Sequence, residues 1–494
     1  MPISNAVSAS RVARIVGVEE IFIDLRAGAV IYLPPRIAIL AQGNTAAVFA
    51  TTPLVLTAGA GEAATVYGYG SQIHDIAAAL MPATGDGTGS TPVTVYPTAD
   101  GTVVAAGTVT PVGVPTGAFA LQARIGGTLA QSVEVPAGAS VADMCALLAT
   151  AVNGTLAIPV VAVDGTTVVD LTAKYKGPAG NAISIEVTGG ESVGTAFTIG
   201  AMAAGSGAPS AVAPLAQMGT VWENIVVHGY LSTDTAALDA IKAHGAGRYG
   251  ATIKAPYVAL MVDTGEVAAT LIALGDARKG DRINALIAAP GAPDRPWQYA
   301  ARAARRVAQK MDSSPAFDYA RQEFNGFRPG DASVQFDSDQ RDLLVKAGIG
   351  TTEVTSGVVT MSDTVTFYHP DDEAIPGSRY VVDLVRLFNC IFTSRLIFER
   401  ADWDGAPLAR NETPTDDPDI KKPKMAVTDL AAATDALAKA GLLDQPEVIK
   451  AGIRAGINGV NPKRLDWSWP VIFSGNTNIV SGSILWGFSF APSA

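Results

Sequence analysis

Tyr257-Val-Ala-Leu-Met-Val-Asp-Thr-Gly265 is the stretch whose reading decides the fold. Six apolar residues run unbroken and then give way to Asp, Thr and Gly. That is a buried strand released into a turn. Upstream, 224–228 reads as another strand and 234–244 as a helix. Downstream, 266–277 reads as a helix and 283–288 as a strand. Pro296 then opens a helix running to about Met311, Pro being suited to the first helical turn. Strand and helix alternating at this length predict a parallel sheet with helices packed on it.

Towards the N-terminus, Val16 and Val18, then Ile21, Ile23 and Leu25, alternate in two short registers. That predicts a half-buried strand within an arm over 1–25. The run Ala29-Val-Ile-Tyr-Leu-Pro-Pro-Arg-Ile-Ala-Ile-Leu-Ala-Gln-Gly43 suits a buried strand entering a turn; 71–80 reads as a helix and 92–96 as a strand. From 27 to 219 the cations are Arg36, Arg124, Lys174 and Lys176 alone. Within that region 101–117 and 194–214 are Gly/Ala/Thr/Pro-rich and read as linkers. Between them 118–190 reads as a compact α+β unit. It has strands at 119–125 and 132–135, a helix at 140–152, and a hairpin of 158–163 with 166–171 across Asp164-Gly165.

Beyond the middle region, 341–366 carries a helix and strands. Residues 379–400 form a long apolar helix with Val382, Val385, Leu387, Phe388, Ile391 and Phe392 on a broad face. A Pro-rich loop at 407–423 leads to helices near 428–457. The chain then reaches Trp467-Ser-Trp-Pro-Val-Ile-Phe-Ser-Gly-Asn-Thr-Asn-Ile-Val-Ser-Gly-Ser-Ile-Leu-Trp-Gly-Phe-Ser-Phe490, which contains no charged residue. Ile484, Trp486, Phe488 and Phe490 alternate with smaller neighbours, giving a strand with one aromatic face. An exposed edge of that kind aggregates unless it is paired. It either pairs within its own domain or completes a neighbour's sheet, as the N-terminal arm could also do. Exchanged arms make heterologous contacts that can propagate a helix.

Composition narrows the function. The chain has 494 residues, 48% hydrophobic and 16% charged, with 50 Gly and a formal charge of -11. Single cores stop growing at roughly 250–300 residues, so more than one domain is expected. Charged residues average about 25% in ordinary chains, so the surface here is unusually neutral and suits burial in an assembly. The acidic balance argues against direct binding to nucleic acid. Cys145 and Cys390 make neither a disulfide framework nor a metal cluster. The first residues lack the apolar core of a secretory signal, and no run approaches the roughly 18 apolar residues of a membrane span. The expectation is an unsecreted chain with no membrane insertion.

Catalytic motifs fail one by one. Gly245-Ala-Gly-Arg-Tyr-Gly250 has the spacing of a dinucleotide fingerprint, but a helix precedes it where a strand is required. Gly275-Asp-Ala-Arg-Lys-Gly280 is followed by Asp281 where a P-loop needs Lys. Asp263-Thr-Gly265 echoes an aspartic protease or the Asp region of a subtilisin. Only one such motif occurs, and His244 precedes Asp263, the reverse of subtilisin order. The plainer expectation is that Asp263 caps the next helix with Glu266 reaching back. His74, His228, His244 and His369 make no metal spacing. Arg302, Arg305, Arg306 and Lys310 share one helical face, expected to be solvated or paired with an acidic neighbouring subunit. No catalytic residue, cofactor or metal is expected; a hydrolase using Asp263 is the remote alternative.

Five stretches resemble the tail sheath proteins of Mu-like contractile phages. They are Ser8-Ala-Ser-Arg-Val-Ala-Arg-Ile-Val-Gly17, the run from Asp24 to Asn44, Leu343-Leu-Val-Lys-Ala-Gly-Ile-Gly350, 357–368 and 379–398. The resemblance covers most of the chain, least firmly 118–190. It implies a structural subunit that polymerises helically with itself around a tail tube, in stacked rings woven together by the arms. Its partners would be the tube protein and the baseplate and terminator proteins. Contraction would drive the tube through the host envelope for genome ejection. The implied location is the virion tail, assembled in the host cytoplasm; a contractile bacteriocin particle is the alternative.

The combined expectation is a multidomain α/β and α+β chain. It has an arm at 1–25, the first part of the sheath body at 26–100, and an inserted outer module at 101–214. A subtilisin-like but non-catalytic parallel-sheet domain follows at 215–340. A C-terminal inner domain occupies 341–466 and a β arm 467–494. Arg395, Glu399 and Arg400, ending the long helix, are candidates to face the tube.

Overall fold

The computed structural model describes residues 31–44, 52–250, 252–324, 326–372 and 377–478. The candidate arm residues Val16, Val18, Ile21, Ile23, Ile484, Trp486, Phe488 and Phe490 lie outside them. The chain divides into two compact units, one of Leu33–Asn389 and one holding the described part of Cys390–Ala494.

The first unit begins with β1 (Ile37–Gln42), every residue of which is buried. Its unbroken apolar run suits a strand covered on both faces. Next come β2 (Leu54–Leu56), α1 (Ala60–Tyr67), α2 (Gln72–Leu80) and β3 (Val93–Thr98). Ser71 caps α2, accepting from the His74 amide at 3.1 Å.

The chain then leaves the sheet for β4 (Val104–Val112), β5 (Phe119–Ile125), β6 (Thr128–Leu129), β7 (Val133–Val135), α3 (Val141–Gly154), β8 (Val160–Asp164), β9 (Val169–Lys176), β10 (Ile185–Thr188) and β11 (Ala196–Ala203). These build two antiparallel sheets, one ordered β11-β4-β9-β8 and one centred on β5, which pairs with β6, β7 and β10. Here the linker expectation is corrected. The stretches 101–117 and 194–214 contain β4 and β11, which pair from Ala196↔Val112 to Gly200↔Thr108. Their small residues serve packing: a Cβ on Gly107 would lie 2.8 Å from Met202 Sδ and 2.9 Å from the Gly200 carbonyl. Low complexity there reflects close layers rather than flexibility. Ser140 and Asp143 form a capping box at α3, and β8 and β9 form the hairpin across Asp164-Gly165.

Back in the body follow α4 (Val212–Ala216), β12 (Ile225–His228), α5 (Thr235–Arg248), β13 (Val258–Asp263), α6 (Ala268–Asp276), β14 (Asn284–Ala288), α7 (Pro296–Ser313), α8 (Ser338–Lys346), β15 (Gly350–Thr355) and β16 (Val358–Asp363). One eight-stranded sheet, ordered β16-β15-β14-β13-β12-β1-β3-β2, joins strands on both sides of the insertion. Its six inner strands pair in parallel, while β2 and β16 are antiparallel edges. It crosses the expected boundaries at 100, 215 and 340, because β1 lies between β3 and β12, far apart in sequence.

The inserted sheets are held to this body by polar contacts at the start of α7. Ser184 Oγ donates to the Pro293 carbonyl at 2.6 Å. Arg328 bridges Glu186 at 3.2 Å and Asp294 at 2.6 Å. Gly127, at φ 81°, lies so close to the Asp294 carboxylate that no side chain would fit.

The second unit contains the last turns of α9 (Val381–Phe398), then α10 (Pro423–Lys439), α11 (Pro446–Gly452), β17 (Arg454–Ile457) and β18 (Leu465–Ser468). Ile397, Leu430, Ala433 and Ile453 form its buried cluster, and Trp469 packs against it, its indole N–H donating to Thr434 Oγ1 at 2.9 Å. Trp467 stacks on Phe398 with centroids 5.2 Å apart, and Phe473 bridges to Leu443. The start of the expected arm at 467–494 is therefore corrected: 467–474 packs within its own unit, because the tryptophans have apolar partners there. Among the described residues no helix is long and apolar enough to cross a membrane.

Candidate functional site

The protease echo comes apart first. Asp263 ends β13 and accepts from Ser232 Oγ and from the Gly265 amide, the latter at 2.7 Å. It does not cap α6, which starts at Ala268 with Val267 as its uncapped N-terminal neighbour. The expected capping box is thus corrected; Asp263 instead closes its own turn. His244 lies on α5, its Nδ1 3.1 Å from the Tyr257 hydroxyl, which itself donates to the Ile241 carbonyl at 2.9 Å. The ring nitrogen is therefore the donor to Tyr257. Burial, then the positive Arg248, lowers the His244 pKa to about 4. His244 is committed to holding α5 on β13, and Asp263 is bonded elsewhere.

The glycine motif at 245–250 lies on the end of α5, where Gly245 packs against Ile283. The expectation of a solvated face at Arg302, Arg305, Arg306 and Lys310 is corrected for the arginines, which are held within the chain. Arg302 pairs with Asp294 at 3.5 Å and Arg306 with Asp86 at 2.6 Å. Arg305 is buried and donates to the Ala79 carbonyl at 3.0 Å, and Lys310 lies 5.9 Å from the Phe317 ring. Among the described residues no group of three or more His, Cys, Asp or Glu is placed to hold a metal.

What remains is a surface in the second unit. β17 and β18 form an antiparallel ribbon in register from Arg454↔Ser468 to Ile457↔Leu465. Among the described residues it is a two-stranded sheet with both outer edges unpaired. Every residue of the ribbon is exposed or half-buried. Two-stranded ribbons are marginal alone and gain from a third strand. The ribbon is backed by α10 and the Trp469 cluster, which hold it ready-made. The sequence pattern predicts helices near 428–457, whereas Arg454–Ile457 is a strand paired with Leu465–Ser468. Asn458-Gly459, a common hairpin turn signal, lies just after β17. The connection is a seven-residue loop over 458–464, so the two-residue hairpin pattern does not apply.

The candidate tube-facing residues divide. Arg395 and Glu399 form an exposed i,i+4 pair at 3.0 Å on α9 and just beyond it. Arg400 is drawn inward, bonding Asp429 at 2.9 Å and Asp402 at 3.1 Å. Asp429 also accepts from the Trp403 indole at 3.0 Å, and Lys421 joins Asp402 at 2.8 Å. That network ties the 400–421 loop to α10.

No protein-family model matches the chain, and no curated protein matches it. Solved structures are similar to it. The sheath tail protein from Listeria innocua has 11% identity over 92% of this chain and 95% of that one, with a TM-score of 0.47. The sheath tail protein from Desulfitobacterium hafniense has 11% identity over 89% and 96%, with a TM-score of 0.44. A chain of the anti-feeding prophage baseplate has 14% identity over 56% and 73%, with a TM-score of 0.41.

Proposed function

We propose that this chain is a structural subunit of a contractile tail sheath, polymerising helically around a tail tube and shortening to drive that tube through an envelope. The observation that carries the reading is the exposed β17–β18 ribbon, whose two outer edges have no partner strand among the described residues. The sequence supplies candidate strands for those edges: the alternating residues Val16, Val18, Ile21 and Ile23, and Ile484, Trp486, Phe488 and Phe490. Main-chain bonds along an open edge give affinity, and alternate side chains fix the register. Residues 479–494 fully extended would span at most about 55 Å. The stretches that resemble Mu-like tail sheaths support the same reading.

In this role subunit contacts formed at assembly supply the energy of contraction, and exchanged strands act as hinges while subunits move as rigid bodies. The tube, baseplate and terminator proteins would be the partners, with Arg395 and Glu399 as tube-facing candidates. In a phage the stroke would serve genome ejection; a contractile bacteriocin would use the same subunit without a genome.

Phe488→Asp places a charge on the aromatic face of the terminal strand. Negative-stain microscopy should show tubes from the purified wild type and only folded monomers from the variant. Variant tubes of wild-type length and abundance would remove strand exchange from the proposal.

A further inference from the structure

Open parallel α/β sheets hold their ligands in the crevice outside the carboxyl ends of the strands, where the strand order reverses. In the eight-stranded sheet that reversal lies between β1 and β12. From there β12, β13 and β14 step outward on one side, and β1 and β3 on the other. β1 ends at Gln42 and β12 at His228. The gap between their ends is closed by the side chain of Gln72, which is buried on α2. Gln72 accepts from the Gln42 main-chain N–H at 3.1 Å and donates to the Gly229 carbonyl at 3.0 Å. Its oxygen fills the place a Cβ on Gly229 would take.

The Gln42 side chain, also buried, reaches the other way, to the inserted sheets. Its Nε2 donates to the carbonyl of Lys176, the last residue of β9, at 2.7 Å and to Asp100 Oδ1 at 3.1 Å. Asp100 accepts in turn from the Lys176 main-chain N–H at 2.8 Å. A second contact involves the turn between α1 and α2. There Lys174 Nζ donates to the Leu156 carbonyl at 2.9 Å and to the Tyr69 carbonyl at 3.5 Å. Gly70 packs so closely on the Ile158 carbonyl that no side chain would fit. The third is the start of α7, where Arg328, Ser184 and Gly127 already meet. The buried Tyr175 and Trp297 rings stand edge to face there, with centroids 5.9 Å apart.

We propose that the crevice at the carboxyl ends of the parallel strands is the seat of the inserted module, and that Gln42, Lys174 and Arg328 lock module and body into one rigid piece. The module takes the place a ligand would occupy, and Gln72 has already engaged the main-chain groups that would hold one. Domains joined through ordinary polar interfaces shift against each other. Here contacts on three different elements oppose rotation about any one of them. Parting them would also leave buried amide groups without partners. The seating is a property of the single chain, whatever assembly its copies build.

The test is double electron–electron resonance on the full-length protein, with spin labels at Val163→Cys on β8 and Leu343→Cys on α8, both exposed positions. Cys145 and Cys390 are buried and escape the label. Dilution into excess unlabelled protein confines the signal to distances within one chain. One narrow distance is expected. Gln42→Ala, Lys174→Ala and Arg328→Ala together should widen the distribution at least twofold, with circular dichroism unchanged. A broad or double distribution in the wild type would overturn the rigid seating without need of any variant. A narrow one in the folded triple variant would overturn the assignment of the lock to these three residues. Either failure leaves the sheath reading standing, since that is decided by tube formation.

Discussion

At the scale of single residues, burial decides more than motif. His228 ends β12 inside the sheet, and burial lowers its pKa to about 4. An unfolded histidine titrates near 6.5, so the native state holds His228 neutral where the unfolded chain takes up a proton. Its contribution to stability is complete above about pH 6.5 and is lost as pH falls through 4, amounting to at most about 3 kcal/mol. His228→Leu should therefore lose less stability than the wild type between pH 7 and pH 4 in urea unfolding; parallel losses would contradict the assignment. Asp75, on α2, accepts from Arg295 at 2.7 Å and from the Trp297 indole at 3.1 Å, all three buried. Asp75→Ala strands a buried guanidinium and should cost about 3–5 kcal/mol, with Asp75→Ala/Arg295→Met less damaging than the single change. A urea midpoint near wild type for the single variant would argue against this. Such pairs were illegible beforehand because Asp75 and Arg295 are distant in sequence and meet only across the fold.

At the scale of elements, local signals were read well where a side chain acts on its own backbone. Ser71 and Ser140 mark helix starts, Pro296 opens α7, and Asp164-Gly165 turns a hairpin, as the sequence predicts. Reading failed where an element depends on a distant layer. β4 and β11 looked like linkers because their Gly and Ala residues answer to a facing strand. The pattern of the terminal stretch predicts one arm, yet Trp469 packs on the α10 cluster and Trp467 on Phe398 beside it. That division is measurable. A chain ended after Asp466 lacks Trp467, Trp469 and Phe473, and its second unit should melt roughly 8–16 °C below that of the full-length protein, corresponding to about 2 kcal/mol. A chain ended after Asn478 keeps all three and should melt close to the full-length protein. Equal melting of the two truncated chains would show that Trp469 contributes little.

At the scale of the whole molecule, the same pair of truncations separates folding from assembly. Light scattering should find the chain ended after Asn478 monodisperse under conditions where the full-length protein forms tubes; tubes from both would remove residues 479–494 from the assembly. The sequence by itself determined the parallel α/β alternation, the charge-poor surface and the failure of each catalytic motif. Those follow from periodicity, composition and spacing, which are properties of neighbouring residues. Only the tertiary structure decided that β1 lies between β3 and β12, and that the arginines of α7 pair within their own chain. It alone placed a ribbon, unpaired among the described residues, beside a groove in the second unit. Strand order and ion pairing are set by free energies of contact between segments far apart in the chain, and no local pattern encodes which distant partner is chosen.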